Sequence, residues 1–144
     1  FCWNIISFYE IWYKRNAEQK NAVCHLPNSV SICVIDSISG EFWKNPPQGN
    51  ASGLYNSFNC RSYDQWHFEY LTDDSSGRAD LKNFINIVPA GNYILALSNR
   101  IHHAEDFTED LYQQFESFGS AQIRNIPNNI PFLILICWFH FDFH

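Results

Sequence analysis

The sequence predicts a single α/β domain, a mixed β-sheet flanked by two principal helices. Three observations carry that expectation. Val30, Ile32 and Val34 alternate with Ser31 and Cys33 as a half-buried strand requires. Two separate stripes of apolar residues recur at the spacing of a helix face. The elements follow one another as strand, strand, helix, strand, helix, strand, with no internal repeat, an order typical of α/β folds.

Each element has its own warrant. The strand at 30–34 runs into Asp36-Ser37-Ile38-Ser39-Gly40, a turn sequence, and Phe42-Trp43 is expected to begin a return strand. Asn45-Pro46-Pro47 and Gly49-Asn50-Ala51-Ser52-Gly53 interrupt regular structure, so residues 44–62 read as a loop. Trp66 to Leu71 is the second strand, ended by Thr72-Asp73-Asp74-Ser75-Ser76, whose oxygens can cap a helix. Leu81, Phe84, Ile85 and Val88 form the first helical stripe, with Asp80 expected in its first turn and Pro89 closing it. Val88-Pro89-Ala90-Gly91 is a turn, and Tyr93 to Leu97 is the expected central strand. Phe107, Leu111, Phe115 and Phe118 make the second stripe, opened by Asp106 or Thr108 and closed by Gly119. Phe132 to Ile136 is the last strand.

Composition narrows the function classes. Of 144 residues, 46% are apolar and only 17% charged, against a usual charged share of about 25%, which fits a packed domain better than a disordered chain. The formal net charge of -6 opposes the phosphate-neutralising surface that nucleic-acid binding needs. The longest apolar run, Ile130 to Phe139, contains Pro131 and falls well short of the ~20 residues of a membrane-spanning helix. Five cysteines (Cys2, Cys24, Cys33, Cys60, Cys137) include no Cys-x-x-Cys pair, which argues against a zinc ribbon or a thioredoxin-like site and leaves the redox compartment open. Aromatic residues crowd both ends of the chain, which lacks methionine. Residues 1–28 and 137–144 are therefore expected to be an extension and a tail around a domain at 29–136, as a truncated or frameshifted reading frame would leave them.

From Ser29 onward the chain resembles the interleukin-like epithelial-mesenchymal transition inducer domain, found also as the stem domain of the protein O-mannose N-acetylglucosaminyltransferase. The resemblance rests on the strand and turn from Val30 to Gly40, on Phe68-Glu69-Tyr70, and on Phe84 to Gly91 followed by Tyr93-Ile94-Leu95-Ala96. Phe115, Phe118-Gly119-Ser120 and Pro131-Phe132-Leu133-Ile134 complete it. In that stem, Asp and Arg after the central strand and before the last one contact sugar. The equivalent places here hold Asn99-Arg100 and Asn128-Asn129, and the family's closing Gly-x-Lys-Gly is replaced by Cys137-Trp138-Phe139-His140. Residues 44–64 resemble an insertion, and longer-loop versions of the domain are similar to modules of large surface or secreted proteins of Bacteroidota, including proteins tied to type IX secretion.

The sequence shows no matched nucleophile, base and oxyanion constellation, so the expectation is a non-catalytic binding or spacer module of a larger extracellular or cell-surface protein, with a glycan or a protein as ligand, no cofactor and no metal. The ligand is expected at Asn99, Arg100, Asn128 and Asn129, beyond the carboxyl ends of a largely parallel sheet, where Arg100 could hold a carboxylate bidentately. Trp66, with Trp43, Tyr55 and Tyr63, Arg61 and Asp64, is a second candidate, a stacking platform for a sugar ring, although such rings more often plug a loop onto its sheet. The alternative is a metal-dependent enzyme. It would use His102-His103 with Glu105 and Asp106, or His140, Asp142 and His144, imidazole and carboxylate being suitable ligands for zinc. Glu109 and Asp110 read as solvated first-turn acids and Cys33 as a strand residue rather than a nucleophile.

Overall fold

The computed structural model describes residues 26–99, 104–128, 130 and 132–137. Four strands form one sheet: β1 (Ser29–Ile35), β2 (Phe68–Leu71), β3 (Tyr93–Asn99) and β4 (Leu133–Cys137), in the order β2-β1-β3-β4. Two helices, α1 (Ser75–Ile87) and α2 (Glu109–Ser117), accompany it. The α/β class and the two principal helices stand as the sequence predicts. The sheet itself is not mixed: all three described pairings are antiparallel. Alternating apolar residues are equally compatible with either direction, so the pattern could not decide it.

β1 is buried at all seven positions, and Tyr93–Asn99 is interior too, paired with β1 on one side and β4 on the other. Val30, Ile32, Val34, Phe68, Tyr70, Ile94 and Ala96 face the helices, as strand alternation requires. Against them α1 lays Leu81, Phe84 and Ile85, and α2 lays Leu111 and Phe115, with Phe107, Phe118 and Ile123 filling the layer. Phe84 is the pivot. Its ring centroid lies 4.5 Å from Phe68, 5.5 Å from Tyr55 and 5.6 Å from Tyr70, and it meets Trp43 edge-on at 6.5 Å.

α1 starts earlier than its apolar stripe indicates. Asp74 is its N-cap, accepting from the Gly77 N–H, so Asp80 stands in the second turn rather than the first. The opening turn is polar and carries no periodic signal. Gly77 is required there, because a Cβ would lie 2.4 Å from the Leu71 carbonyl oxygen. α2 follows Thr108 and ends at Phe118, with Gly119 at φ 84°, where glycine adopts the left-handed conformation without strain. The Asp36–Gly40 turn forms as expected. Its Asp36 carboxylate accepts the Ile38 and Ser39 N–H groups, and these bonds, chiefly Ser39's, hold its pKa below the usual range. Phe42 only bridges to Ile35, so the expected return strand is reduced to one isolated pair.

Candidate functional site: a cleft walled by the long loop

Between Phe42 and Phe68 the chain forms no strand, yet it is closely fastened. Asn45 is fully buried and is the hub. Its backbone pairs with Gln65 in both directions, its Oδ1 accepts the Leu54 N–H at 2.8 Å, and its Nδ2 donates to the His67 carbonyl at 3.0 Å. Its own carbonyl accepts from Asn59 Nδ2 at 2.8 Å. Gly53 passes so close that a Cβ would stand 2.1 Å from Asn45 Oδ1. Asn50, Ala51, Tyr55 and Asn56 all hold positive φ, an energetically costly conformation for Ala and Tyr that persists only where the surroundings enforce it. Farther along, Cys60 is disulfide-bonded, to a sulfur outside the described side chains.

This loop walls a cleft of about 350 Å³ against the outer edge of β2 and the first two turns of α1. Such a volume is at the small end of ligand sites. Asn56 Nδ2 donates to Asp80 Oδ1 at 2.9 Å, and Tyr70 gives its hydroxyl proton to the Tyr55 carbonyl at 3.2 Å. Burial pushes the Tyr70 phenol well above its ordinary pKa, so it remains a donor at neutral pH. Asp74 accepts from the Ser76 hydroxyl and from the Gly77 N–H, and these bonds lower its pKa, keeping it ionised. Phe58 lies against the same edge, its N–H donating to the Glu69 carbonyl at 2.8 Å.

The sequence-predicted site residues do not come together as one group. Asn99 ends β3 in register with Ser29, which in turn faces Leu71 at the cleft. Two strand spacings, roughly 10 Å, separate the two strands at that end of the sheet. Asn128 is exposed and lies within the turn that the Ile130 N–H closes by donating to the Pro127 carbonyl. The chain then reaches Phe132, whose N–H donates to Ser98 Oγ at 2.6 Å, so Asn128 belongs to the Asn99 end. Arg100 and Asn129 lie outside the described residues. Trp66 stands at the other end, its ring 6.5 Å from Phe42, which bridges to Ile35. The length of β1 puts roughly 20 Å between the two ends. Because the sheet is antiparallel, the expectation of a ligand beyond the carboxyl ends of parallel strands has no structural basis.

The aromatic group divides. Trp43 and Tyr55 pack on Phe84 and plug the loop onto the core. Trp66 lies beneath Lys44, and Tyr63 beneath Arg61, whose guanidinium also donates to the Tyr63 hydroxyl at 2.9 Å. Asp64 is exposed. Among the proposed metal ligands, Glu105 and Asp106 are exposed in a short 3-10 turn, while His102, His103, His140, Asp142 and His144 lie outside the described residues. The described residues hold no cluster of three or more metal-ligating side chains. Cys33 is buried within β1. Glu109 and Asp110 are exposed first-turn acids engaged in ion pairs with Arg124 and Lys82. Among the described residues no helix is long and apolar enough to cross a membrane.

Sequence reasoning missed the cleft. Asp74 was legible as a capping oxygen, but nothing in the pattern linked it to Asn56, Tyr70 and Asp80. Compared with family models and with curated proteins, the chain matches none.

Proposed function

We propose that this domain is a non-catalytic binding module of a larger extracellular or cell-surface protein, and that the cleft beside β2 receives the ligand, a glycan or a side chain of a protein partner. The observation that carries the reading is the loop itself. A segment that holds Ala51 and Tyr55 in costly backbone conformations, fixed by a buried asparagine, is a built wall, and its open side is the cleft. Asp74 and Asp80 are engaged in capping the helix and in holding Asn56, which fixes the rim of the cleft. The Cys60 disulfide supports the oxidising compartment.

A glycan-array screen of the full chain, followed by calorimetry of each hit against Asp80→Ala and Arg100→Ala, tests the reading. Binding lost in the Asp80 variant supports the cleft, and loss only in the Arg100 variant moves the ligand to the Asn99 end. Turnover of a glycoside or ester substrate that one polar substitution abolishes overturns the non-catalytic reading.

A further inference from the structure

The long loop holds four asparagines, Asn45, Asn50, Asn56 and Asn59, and the fold uses the amides of three. Asn45 Nδ2 donates to the His67 carbonyl, Asn59 Nδ2 to the Asn45 carbonyl, and Asn56 Nδ2 to Asp80. Asn50 is the exception. Its amide makes no hydrogen bond among the described residues, and both Asn50 and Ala51 are exposed at the tip of a tight turn. The Ser52 N–H and the Ser52 hydroxyl close that turn, donating to the Gly49 carbonyl at 3.0 and 2.6 Å. Asn50 is also the one asparagine of the chain with Ser or Thr two places on, in Asn50-Ala51-Ser52. Such a triplet, with any residue but proline in the middle, is what the enzyme that links sugar to asparagine requires of its acceptor. The unused amide and the acceptor triplet thus coincide at one position.

We propose that Asn50 is an N-glycosylation site. The proposal goes beyond the ligand of the cleft and rests on the extracellular part of the reading above, which the Cys60 disulfide supports. In the transfer, Asn50 Nδ2 bonds to the anomeric carbon of an oligosaccharide carried on a lipid diphosphate. The bond between that carbon and the phosphate oxygen breaks, the lipid diphosphate leaves with the electron pair, and one amide proton passes to a base of the transferring enzyme. The addition belongs to the chain before it folds, because the folded turn commits the Ser52 hydroxyl to Gly49. Folding then accommodates the product, since an exposed residue carries a bulky substituent without disturbing the core. Ala51 and Ser52 line the cleft, so the sugar stands at its rim. Asn50 has a plain conformational use as well, at φ 51°, where asparagine is tolerated better than most residues. Ser52 separates the two roles, because the sugar transfer needs its hydroxyl and the backbone conformation of Asn50 does not.

The test passes the full chain, behind a cleavable leader, through the secretory pathway of cultured eukaryotic cells, whose own lipid-linked oligosaccharide is the donor. The intact mass of the recovered protein is read before and after treatment with peptide-N-glycosidase. A heavier species that the glycosidase returns to the bare chain is expected. Asn50→Gln and Ser52→Ala should each remove it completely, and Ser52→Thr should keep it. Ser52→Ala is the deciding variant, since it retains the asparagine and loses only the hydroxyl. A chain recovered bare from the lumen, or a sugar that persists in both Asn50→Gln and Ser52→Ala, overturns the proposal. A bare chain that still binds a glycan on the array overturns the modification alone and leaves the binding-module reading standing. A glycosylated chain that binds nothing supports the modification and counts against that reading.

Discussion

The layer beneath the helices and the loop beside β2 are held by opposite means. Under α1 and α2 the contacts are apolar, non-directional and shared among many rings. Around Asn45 they are few, polar and directional, and one side chain serves several segments at once. Loss in the first region is spread over its neighbours, whereas loss in the second removes a fastening. The difference teaches where this molecule keeps its stability and where it keeps its shape.

Truncating the pivot of the apolar layer should have the largest effect. Phe84→Ala is expected to cost about 3–5 kcal/mol in chemical denaturation, from lost burial and the cavity left among Phe68, Tyr70 and Tyr55. A cost below about 1 kcal/mol would mean that the layer repacks and that the contrast is overdrawn.

Asn45→Ala comes next. It leaves the Leu54 N–H without its acceptor in a part-buried place, a loss of about 1–3 kcal/mol. Its signature should be local: faster amide exchange at Leu54, Asn59 and Gln65 with β1 and β3 protection nearly intact. Uniformly faster exchange would show that the loop and the core open together. Gly53→Ala strikes the same fastening from the other side, since its methyl group would collide with Asn45 Oδ1. The two losses should therefore not add, and a double-mutant cycle should return a coupling of at least about 0.5 kcal/mol.

Smaller effects belong to the exposed charges. Asp74→Ala should lower the thermal midpoint by a few degrees and Asp74→Asn hardly at all, because asparagine caps as well as aspartate. Smallest is the Arg124 cluster, in which the guanidinium pairs with Glu109 and Glu116 and stacks on Tyr112 at 4.8 Å. Arg124→Ala should shift the midpoint by a degree or two at low salt and less at high salt. The Arg124 bonds hold the Glu109 pKa near about 2, below its ordinary 4.5. A depressed folded-state pKa stabilises fully above the unfolded value, so the advantage of wild type should fade as pH falls from 4.5 toward 2. An advantage that grew on acidification would contradict the assignment.

The same contrast explains what could be read in advance. The apolar layer announces itself, because burying one face imposes a period, and Leu81, Phe84 and Ile85 or Leu111 and Phe115 display it. The loop has no period. Asn45 is one asparagine among many, and its four partners, Leu54, Asn59, Gln65 and His67, follow no spacing rule. Strand direction was illegible for a related reason. A helical segment between β3 and β4 reads like a parallel crossover, whereas the chain returns to the end it left and pairs Leu97 with Leu133. Of the expected site, Asn99 follows the apolar residues of the expected central strand and Asn128 shortly precedes the last one, so their common end of the sheet was legible from the order of the elements. The cleft was not, since its walls come from three segments joined only by tertiary hydrogen bonds.

The bridge from Phe58 to Glu69 has one further consequence. β2 lies at the border of the sheet, and a bare border strand is a template onto which another chain can zip. Phe58 occupies the outward carbonyl of Glu69, and Gly77 presses against that of Leu71, so little of the border is left open for pairing. The loop thus works as a selvedge, the woven margin that keeps a cloth from fraying into its neighbour. A domain finished in this way on one side can be strung beside other domains at high local concentration without knitting to them through that margin.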